Sequence, residues 1–335
     1  MSFIKENIKD LLPSSTLLIN EMCKELSKSG RTIYQFGFGQ SPFPVPEKIV
    51  SALKLNAHQK DYLPSKGLLE LRKSIAGFLT KKGYHNLSHE NIIIGPGSKE
   101  LMFLLQVAFD GEVVLPVPSW VSYAPQAIIA KNKFHWVQTE KKTNWHISPE
   151  HIDKVASQIE SKNKLIILNS PNNPSGTNIH LLKELGEVFT KHNFTVLSDE
   201  IYSELYFKDN YKSISHFHEN TIVSSSLSKW AGAGGWRVGY FAVPNNLIEI
   251  FEKLAVLGTE TFSAVSAPTQ FAAITAYEED FTEYLTKSKK ILHVIAHYVY
   301  EQLSQLDIDM IEPEGGFYLM PDFTRMLSKQ FKSSK

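Results

Sequence analysis

The feature that most constrains the fold of this 335-residue chain is an alternation of short apolar, β-branched runs with longer amphipathic stretches. The apolar runs predict strands over residues 91–94, 112–115, 164–169, 195–198 and 221–224. Helical patterns cover residues 98–109, 181–192, 246–257 and 279–306. Strands that alternate with helices build βαβ units. We therefore expect an α/β fold around a mostly parallel central sheet.

Small and polar residues stand shortly after three of these predicted strands. Gly97 and Ser98 follow the first strand, Asn173 follows the third, and Asp199 follows the fourth. In an open parallel sheet, ligands bind outside the carboxyl ends of the strands. The pattern predicts that these residues share one binding site.

Composition argues against several classes of function. The 35 basic and 35 acidic residues balance, so no electrostatic reason exists to expect nucleic acid or an anionic membrane as a partner. Cys23 is the only cysteine in the sequence, which excludes a disulfide within the chain. His216 and His218 have no third ligand at a supporting spacing, so we interpret them as loop histidines and expect no metal site.

The ends of the sequence and its hydropathy bear on where the protein works. Lys5 and Glu6 place charges where a secretory signal would be apolar. No apolar run approaches the length that spans a bilayer. We expect a cytoplasmic protein with no membrane partner.

Lys229 has unusual neighbours for a lysine. Serines and glycines surround it in residues 224–240, and Arg237 follows it eight residues later. Small neighbours leave room beside the amine, which can form a Schiff base with a carbonyl, while hydroxyl groups and a guanidinium can hold a phosphate. Taken alone, the segment is equally consistent with a glycine-rich loop that carries a solvated lysine.

Two further segments favour the chemical interpretation. Residues 198–202 read Ser-Asp-Glu-Ile-Tyr, and residues 169–177 read Asn-Ser-Pro-Asn-Asn-Pro-Ser-Gly-Thr. With the lysine segment, they resemble the class I/II aminotransferases, the fold-type I pyridoxal-phosphate enzymes similar to aspartate aminotransferase. Matching positions run from about Gly39 to Tyr318 in the order of the family. The resemblance implies pyridoxal 5′-phosphate as cofactor, helices on both faces of the sheet, and a smaller α+β domain.

The resemblance also implies roles for four residues around the cofactor ring. Lys229 matches the Schiff-base lysine, whose freed amine then moves a proton as base and acid. Asp199 matches the aspartate that pairs with the pyridine nitrogen, although alone it would be explained as a helix N-cap. Tyr202 and Asn173 match the groups that hydrogen-bond the phenolic oxygen, with a cis peptide expected before Pro174.

Phosphate binding is expected from five residues: Gly97, Ser98, Lys99, Ser226 and Arg237. The first three follow a strand and open a helix, where backbone N–H groups and the helix dipole favour an anion. The spacing to Lys99 does not fit a Walker loop. Gly232 and Gly234 do not form a dinucleotide fingerprint, because Arg237 stands where the third glycine would be.

Three more positions match family residues that face the ring, the substrate or a second subunit. Trp120 matches the aromatic side chain that stacks on the ring, although an isolated tryptophan is more often a core residue. Gly39 matches a glycine whose backbone lies against the substrate carboxylate, and the resemblance places Trp120 and Asn173 beside the substrate as well. Tyr62 matches a tyrosine that reaches the phosphate of a neighbouring subunit, which implies a homodimer with shared active sites.

The resemblance divides the chain into a large cofactor-binding domain, 34–287, and a small domain made of 1–33 and 288–335. Residues 314–323 resemble the first strand of the small domain. We expect this domain to be incomplete, because the arginine that binds the substrate carboxylate in the family is not matched by Arg325. A shortened product and a segment supplied by a partner are the two explanations.

The leading hypothesis is a pyridoxal-phosphate-dependent aminotransferase that exchanges an amino group between an L-amino acid and a 2-oxo acid. The cofactor motifs do not separate it from a carbon–sulfur lyase or a synthase on the same scaffold. A third hypothesis is a catalytically weakened cofactor-binding remnant, motivated by the unmatched arginine. The sequence does not identify the amino acid.

Overall fold

The computed structural model describes residues 3–37, 39–306 and 308–326. A seven-stranded sheet contains β1 (Ile92–Gly95), β2 (Glu112–Val117), β3 (Phe134–Gln138), β4 (Lys164–Asn169), β5 (Phe194–Asp199), β6 (Thr221–Ser226) and β7 (Gly239–Ala242). Their spatial order is β1-β7-β6-β5-β4-β2-β3. The strands β6, β5, β4, β2 and β3 pair in parallel, and β7 runs antiparallel to both β1 and β6. The predicted parallel α/β sheet is confirmed.

The part of the chain that the structure describes also contains ten α-helices. They are α1 (Ser15–Lys28), α2 (Glu47–Asn56), α3 (Leu69–Lys81), α4 (Ser98–Ala108), α5 (Tyr123–Ala130), α6 (Pro149–Ala156), α7 (Leu182–Lys191), α8 (Ile248–Thr261), α9 (Ala267–Glu278) and α10 (Thr282–Ser304). The four helices predicted from periodicity correspond to α4, α7, α8 and α10, with ends shifted by up to four residues.

Successive side chains of β1 point to opposite faces of the sheet, and both faces are buried. Ile93 packs into a core with α4 and α8, whereas Ile92 and Ile94 point to the opposite face and pack with α2, α3 and α9. Successive side chains of a strand point to opposite faces, so an uninterrupted apolar run belongs to a sheet covered on both sides. A third apolar cluster joins β4 and β5 to α6 and α7. The expected helices on both faces are confirmed.

The segment 314–323 is not the strand that the resemblance suggested. Within 308–326 the structure has only the isolated bridges Tyr206↔Gly315 and Asp309↔Asp322, and Asp322 leads into a short 3-10 helix at Thr324–Met326. A strand needs a continuous ladder with a neighbour, and single bridges do not provide one. The proposed domain limit at 287/288 falls inside α10, and the division into two domains stays a prediction.

The described residues include neither a membrane-spanning helix nor a cluster of metal ligands. Over 3–37, 39–306 and 308–326, none of the helices has the length and hydropathy needed to cross a membrane. The same residues contain no group of three or more His, Cys, Asp or Glu side chains arranged to hold a metal ion. His218 is instead buried, with its Nε2 2.9 Å from the carbonyl of Phe194.

Candidate active site

The strand order brings the predicted site residues to one edge of the sheet. Asp199 is the last residue of β5, and Lys229 lies three residues after β6. Gly97 follows β1, Trp120 follows β2 and Asn173 follows β4. Since β1, β2, β4, β5 and β6 run in the same direction, their carboxyl ends share this edge. The strand order therefore brings the predicted site residues to the same edge of the sheet, where parallel α/β sheets bind ligands.

Lys229 projects a largely desolvated amine into this site. Its Nζ donates a hydrogen bond to the carbonyl of Gly39 at 2.6 Å. The same atom lies 5.8 Å from the ring centre of Tyr202 and 5.7 Å from that of Phe317. Burial lowers the pKa of Lys229 to about 8, although the carboxylate of Asp199 acts in the opposite direction. Near neutral pH the amine therefore exchanges readily between its charged form and its nucleophilic neutral form.

In the cofactor-free protein we expect the amine of Lys229 to react with an amine-directed reagent at a rate that levels off above a pH of about 8. Below that pH the rate should fall about tenfold per pH unit, since only the neutral amine is a nucleophile. Mass spectrometry of the Lys229 peptide measures this rate. In protein unfolded by urea the plateau should move toward the ordinary lysine value of 10.5. Equal profiles for folded and unfolded chains would contradict the lowered pKa.

Asp199 is 4% exposed and has one unused acceptor. Its Oδ2 accepts a hydrogen bond from the hydroxyl of Tyr123 at 2.6 Å, whereas its Oδ1 has no partner among the described residues. Burial raises the pKa of Asp199 to about 6, against the lowering effect of Tyr123 and of the Ile201 N–H. Buried acceptors are rarely left unpaired, so Oδ1 is suited to a donor on a ligand. A protonated pyridine nitrogen fits this position and would keep the carboxyl ionised.

The turn 172–177 and Tyr202 form the side of the site next to Asp199. The peptide before Pro174 is cis, as predicted, and the N–H of Asn173 donates to Oδ1 of Asn169 at 2.7 Å. The Asn169 amide nitrogen in turn donates to the carbonyl of Asp199 at 2.8 Å. The hydroxyl of Tyr202 donates to that of Tyr318 at 3.0 Å. Burial raises the pKa of Tyr202 well above its ordinary value, so it remains a neutral hydrogen-bonding group.

A cationic cradle lies at the start of α4. Arg237 is held by hydrogen bonds from its Nη1 to the carbonyl of Gly234 and from its Nη2 to that of Pro96, each 3.0 Å long. Gly97 has a φ of +79°, which glycine adopts without strain, and a Cβ there would lie 2.2 Å from Nη2 of Arg237 and displace the guanidinium. Ser98 then begins α4, where free N–H groups point outward.

Positive charges lie close together in this cradle, with the carboxylate of Glu100 acting against them. Burial lowers the pKa of Lys99, and the charge of Arg237 lowers it further. Arg237 also lowers the pKa of Lys229. Such mutual repulsion at a helix N-terminus favours an anion. Together with Oδ1 of Asp199 and the amine of Lys229, the cradle offers complementary groups for the phosphate, ring nitrogen and aldehyde of pyridoxal phosphate.

Replacing Arg237 with lysine should weaken cofactor binding roughly 10- to 100-fold, the value of one hydrogen bond between charged groups. Lysine keeps the charge but loses the planar fork, which bonds the carbonyls of Pro96 and Gly234 and is suited to a phosphate. Titration of the cofactor-free protein with pyridoxal phosphate, followed by visible absorbance, measures the Kd. Arg31→Lys, at an exposed position, serves as the control. Affinities within twofold of each other would rule out the phosphate role.

The remaining predicted residues occupy different parts of the site. Trp120 packs edge-on against Tyr123, and the amine of Lys99 lies 5.3 Å from its ring centre. The hydroxyl of Ser226 accepts a hydrogen bond from the N–H of Ser228 at 3.0 Å, which shapes the turn that leads to Lys229. Tyr62 is 93% exposed, so the structure of one chain leaves its predicted role untested.

Three aromatic residues at the site were not predicted from the sequence as site residues. Tyr123 donates a hydrogen bond to Asp199, which lies 76 positions later in the chain. No local sequence pattern distinguishes Tyr123 from a tyrosine of the hydrophobic core. Phe317 and Tyr318 pack edge-on against Tyr202, with ring centres 5.6 and 5.5 Å away. For Phe317 and Tyr318, the only signal in the sequence was their position at the end of the segment that resembles the family.

The chain is similar to known proteins along nearly its whole length. The family description "Aminotransferase class I and II" matches residues 31–334. The aspartate aminotransferase of Bacillus subtilis (strain 168) is 32% identical over 332 residues, which cover 95% of this chain and 83% of the relative. The aspartate aminotransferase of Thermotoga maritima is 29% identical, with 94% and 84% covered.

Solved structures show the same architecture and support the motif-based assignment. The structure titled aspartate aminotransferase from Thermus thermophilus with maleate has a TM-score of 0.88 and 25% identity, and the match covers 98% of this chain and 87% of that one. The Thermotoga maritima enzyme has a TM-score of 0.85 and 28% identity, with 95% and 85% covered. The chain therefore belongs to the class I and II aminotransferases, enzymes that depend on pyridoxal 5′-phosphate.

Proposed function

We propose that Lys229 carries the proton in amino transfer between an L-amino acid and a 2-oxo acid, and that aspartate is an amino donor. The observation that supports this most is the buried amine of Lys229, held by the Gly39 carbonyl at 2.6 Å and opposed across the site by Asp199. Bound pyridoxal phosphate supplies an electron-accepting ring for the charge left when the substrate Cα loses its proton.

Lys229 has the properties that both directions of proton transfer require. With its pKa lowered to about 8, the amine is present in neutral and charged forms near neutral pH. A general base works best when its pKa lies close to the working pH, and its conjugate acid then returns the proton. The rings of Tyr202 and Phe317 flank the amine, with their centres 5.8 and 5.7 Å away.

In this proposal the other site residues hold and orient the cofactor and the substrate. Asp199, steadied by Tyr123, keeps a negative charge at the far end of the site. Tyr202 and Asn173 face the phenolic oxygen, and Trp120 covers one face of the ring. The phosphate-binding set is Gly97, Ser98, Lys99, Ser226 and Arg237. Gly39, with Trp120 and Asn173, lines the side where the substrate enters.

Aspartate is the donor to test first because the relatives from Bacillus subtilis and Thermotoga maritima are named aspartate aminotransferases. The cofactor-loaded enzyme is mixed with aspartate and a 2-oxo acid, and the new amino acid is measured by chromatography. Amino transfer requires the oxo acid in equal molar amount. With an S-alkylcysteine in place of aspartate, release of a thiol, pyruvate and ammonia without an oxo acid would indicate a carbon–sulfur lyase instead. A bound cofactor with no conversion of any donor would indicate a remnant.

We further propose a homodimer in which Tyr62 reaches the phosphate site of the partner subunit. The support is its 93% exposure, which leaves the hydroxyl free to contact a second chain. Sedimentation equilibrium should give twice the mass of one chain. A monomer that binds cofactor with full affinity would contradict the shared site. A cytoplasmic location, expected from the N-terminal charges, also stays a prediction.

A further inference from the structure

Residues 314–316 are attached by backbone hydrogen bonds to two elements of the site. The N–H groups of Glu314 and Gly315 both donate to the carbonyl of Gly176, at 2.8 and 3.2 Å. The N–H of Gly316 donates to the carbonyl of Leu205 at 3.1 Å. These bonds join residues 314–316 to the turn that bears Asn173 and to the short helix that follows Tyr202. Phe317 and Tyr318 are therefore held at fixed positions relative to the site.

Charged hydrogen bonds reinforce that attachment. The side chain of Glu314 accepts hydrogen bonds from the N–H of Asn178 at 3.0 Å and from Nζ of Lys208 at 2.7 Å. Nε2 of His180 lies 2.9 Å from the same carboxylate. Although burial acts to raise it, these partners lower the pKa of Glu314 overall, so the carboxylate is ionised at neutral pH. Hydrogen bonds to charged groups are stronger than neutral ones.

Tyr318 fills the space that a side chain at position 39 would occupy. A Cβ built on Gly39 would lie 1.6 Å from the hydroxyl oxygen of Tyr318 and 2.6 Å from its Cζ. The carbonyl of the same glycine accepts the hydrogen bond from Lys229. The phenol of Tyr318 thus occupies the space that is open because Gly39 has no side chain.

We propose that Tyr318 is a specificity-determining residue, whose phenol, accommodated by Gly39, limits the size of the substrate side chain. The inference rests on the proposed function, in which a donor's Cα must come close to Nζ of Lys229. Any molecule that does so lies beside Gly39 and hence against Tyr318. The hydroxyl of Tyr318 is also within 3.0 Å of Tyr202, so one phenol joins the substrate side to the cofactor side.

The first test compares amino-acid analogues with side chains of increasing size on the cofactor-loaded full chain. Binding of 2-methylalanine, 2-methylaspartate and 2-methylphenylalanine is read from visible absorbance, because these compounds lack the Cα proton and need no turnover. Tyr318→Ala should raise the affinity for the aromatic compound relative to 2-methylalanine by roughly tenfold or more, as expected for space opened in a pocket. Tyr318→Phe should keep the size ranking. Tyr298→Ala, an exposed tyrosine on α10, is the matched control.

A size ranking that Tyr318→Ala leaves unchanged would overturn the proposal, even if amino transfer itself is confirmed. Conversely, size-dependent binding without any turnover would support the role of Tyr318 while the proposed function failed. The two ideas are therefore separable by one set of titrations.

A double-mutant cycle tests the steric pairing without any substrate. Gly39→Ala should lower the thermal midpoint of the full chain, because its Cβ would overlap the phenol of Tyr318. Adding Tyr318→Ala removes that overlap, so the double variant should be more stable than Gly39→Ala alone. If Gly39→Ala prevents folding, recovery of folded protein in the double variant is the expected result. Additive losses, or no loss from Gly39→Ala, would show that the two residues do not share this space.

Discussion

Lys229→Ala should reduce amino transfer by at least roughly 100- to 10,000-fold, which is the usual contribution of a positioned general acid–base group alone. Its amine is the basic group that the structure places between Gly39 and the rings of Tyr202 and Phe317. The variant should still bind pyridoxal phosphate through the cradle at Arg237, although without a covalent link. Single-turnover measurements with aspartate, followed by visible absorbance, give the size of the loss.

The same variant allows a test of what the amine does. A small amine such as ethylamine, added to the solution, should restore part of the lost rate to Lys229→Ala, because it can move the proton in place of the missing side chain. Borohydride treatment should fix the cofactor to the Lys229 peptide of the original enzyme only. Lys191→Ala, which removes an exposed lysine paired with Asp153, is the control and should keep full activity. If Lys229→Ala retains more than a tenth of the original rate, Lys229 is not the group that carries the proton.

The strands that the sequence predicted are those buried on both faces. β4 carries the buried apolar run 165–168 and β5 the buried pair Val196 and Leu197, and such runs have few alternatives to a central parallel strand. β3 escaped prediction because it lies at the edge of the sheet, where Trp136 is half-exposed and the pattern is irregular. β7 is four residues long and follows a glycine-rich segment, so its antiparallel return depends on β1 and β6 rather than on its own residues.

The candidate site was predictable to the extent that its residues lie at strand ends. Asp199 and Asn173 owe their places to the strands that precede them, and the motif around Lys229 identified the amine. Tyr123 reaches Asp199 only because β2 and β5 both flank β4, a neighbourhood that the chain order does not reveal. Tyr318 is 116 positions away from Tyr202. Contacts of this range depend on packing, which local patterns do not encode.

Asp199→Asn should make the cofactor-free protein more stable at pH 8 and should make amino transfer slower. In the cofactor-free protein the pKa of Asp199 is raised from 3.8 to about 6, so the folded state binds its proton more tightly than the unfolded state does. The stability that this group contributes is present below a pH of about 4 and is lost as the pH rises through about 6. At pH 8 a buried, ionised carboxylate with a vacant Oδ1 is unfavourable, and the neutral amide relieves that cost. Cofactor-free Asp199→Asn should therefore resist urea better than the original protein at pH 8, with the difference vanishing near pH 4.

With cofactor bound, the same substitution should lower the rate of amino transfer roughly 100- to 5,000-fold, the range expected when one partner of a buried ion pair is removed. An amide carries no charge to stabilise a protonated ring nitrogen, so the ring accepts electrons less well. Tyr123→Phe removes only the hydrogen bond to Oδ2 and should cost no more than about 10- to 100-fold. Rates come from single turnovers with aspartate, and stabilities come from urea titrations at pH 4 and pH 8. If Asp199→Asn stays within tenfold of the original rate, or if Tyr123→Phe is the more damaging change, the charge at Asp199 is not what the reaction uses.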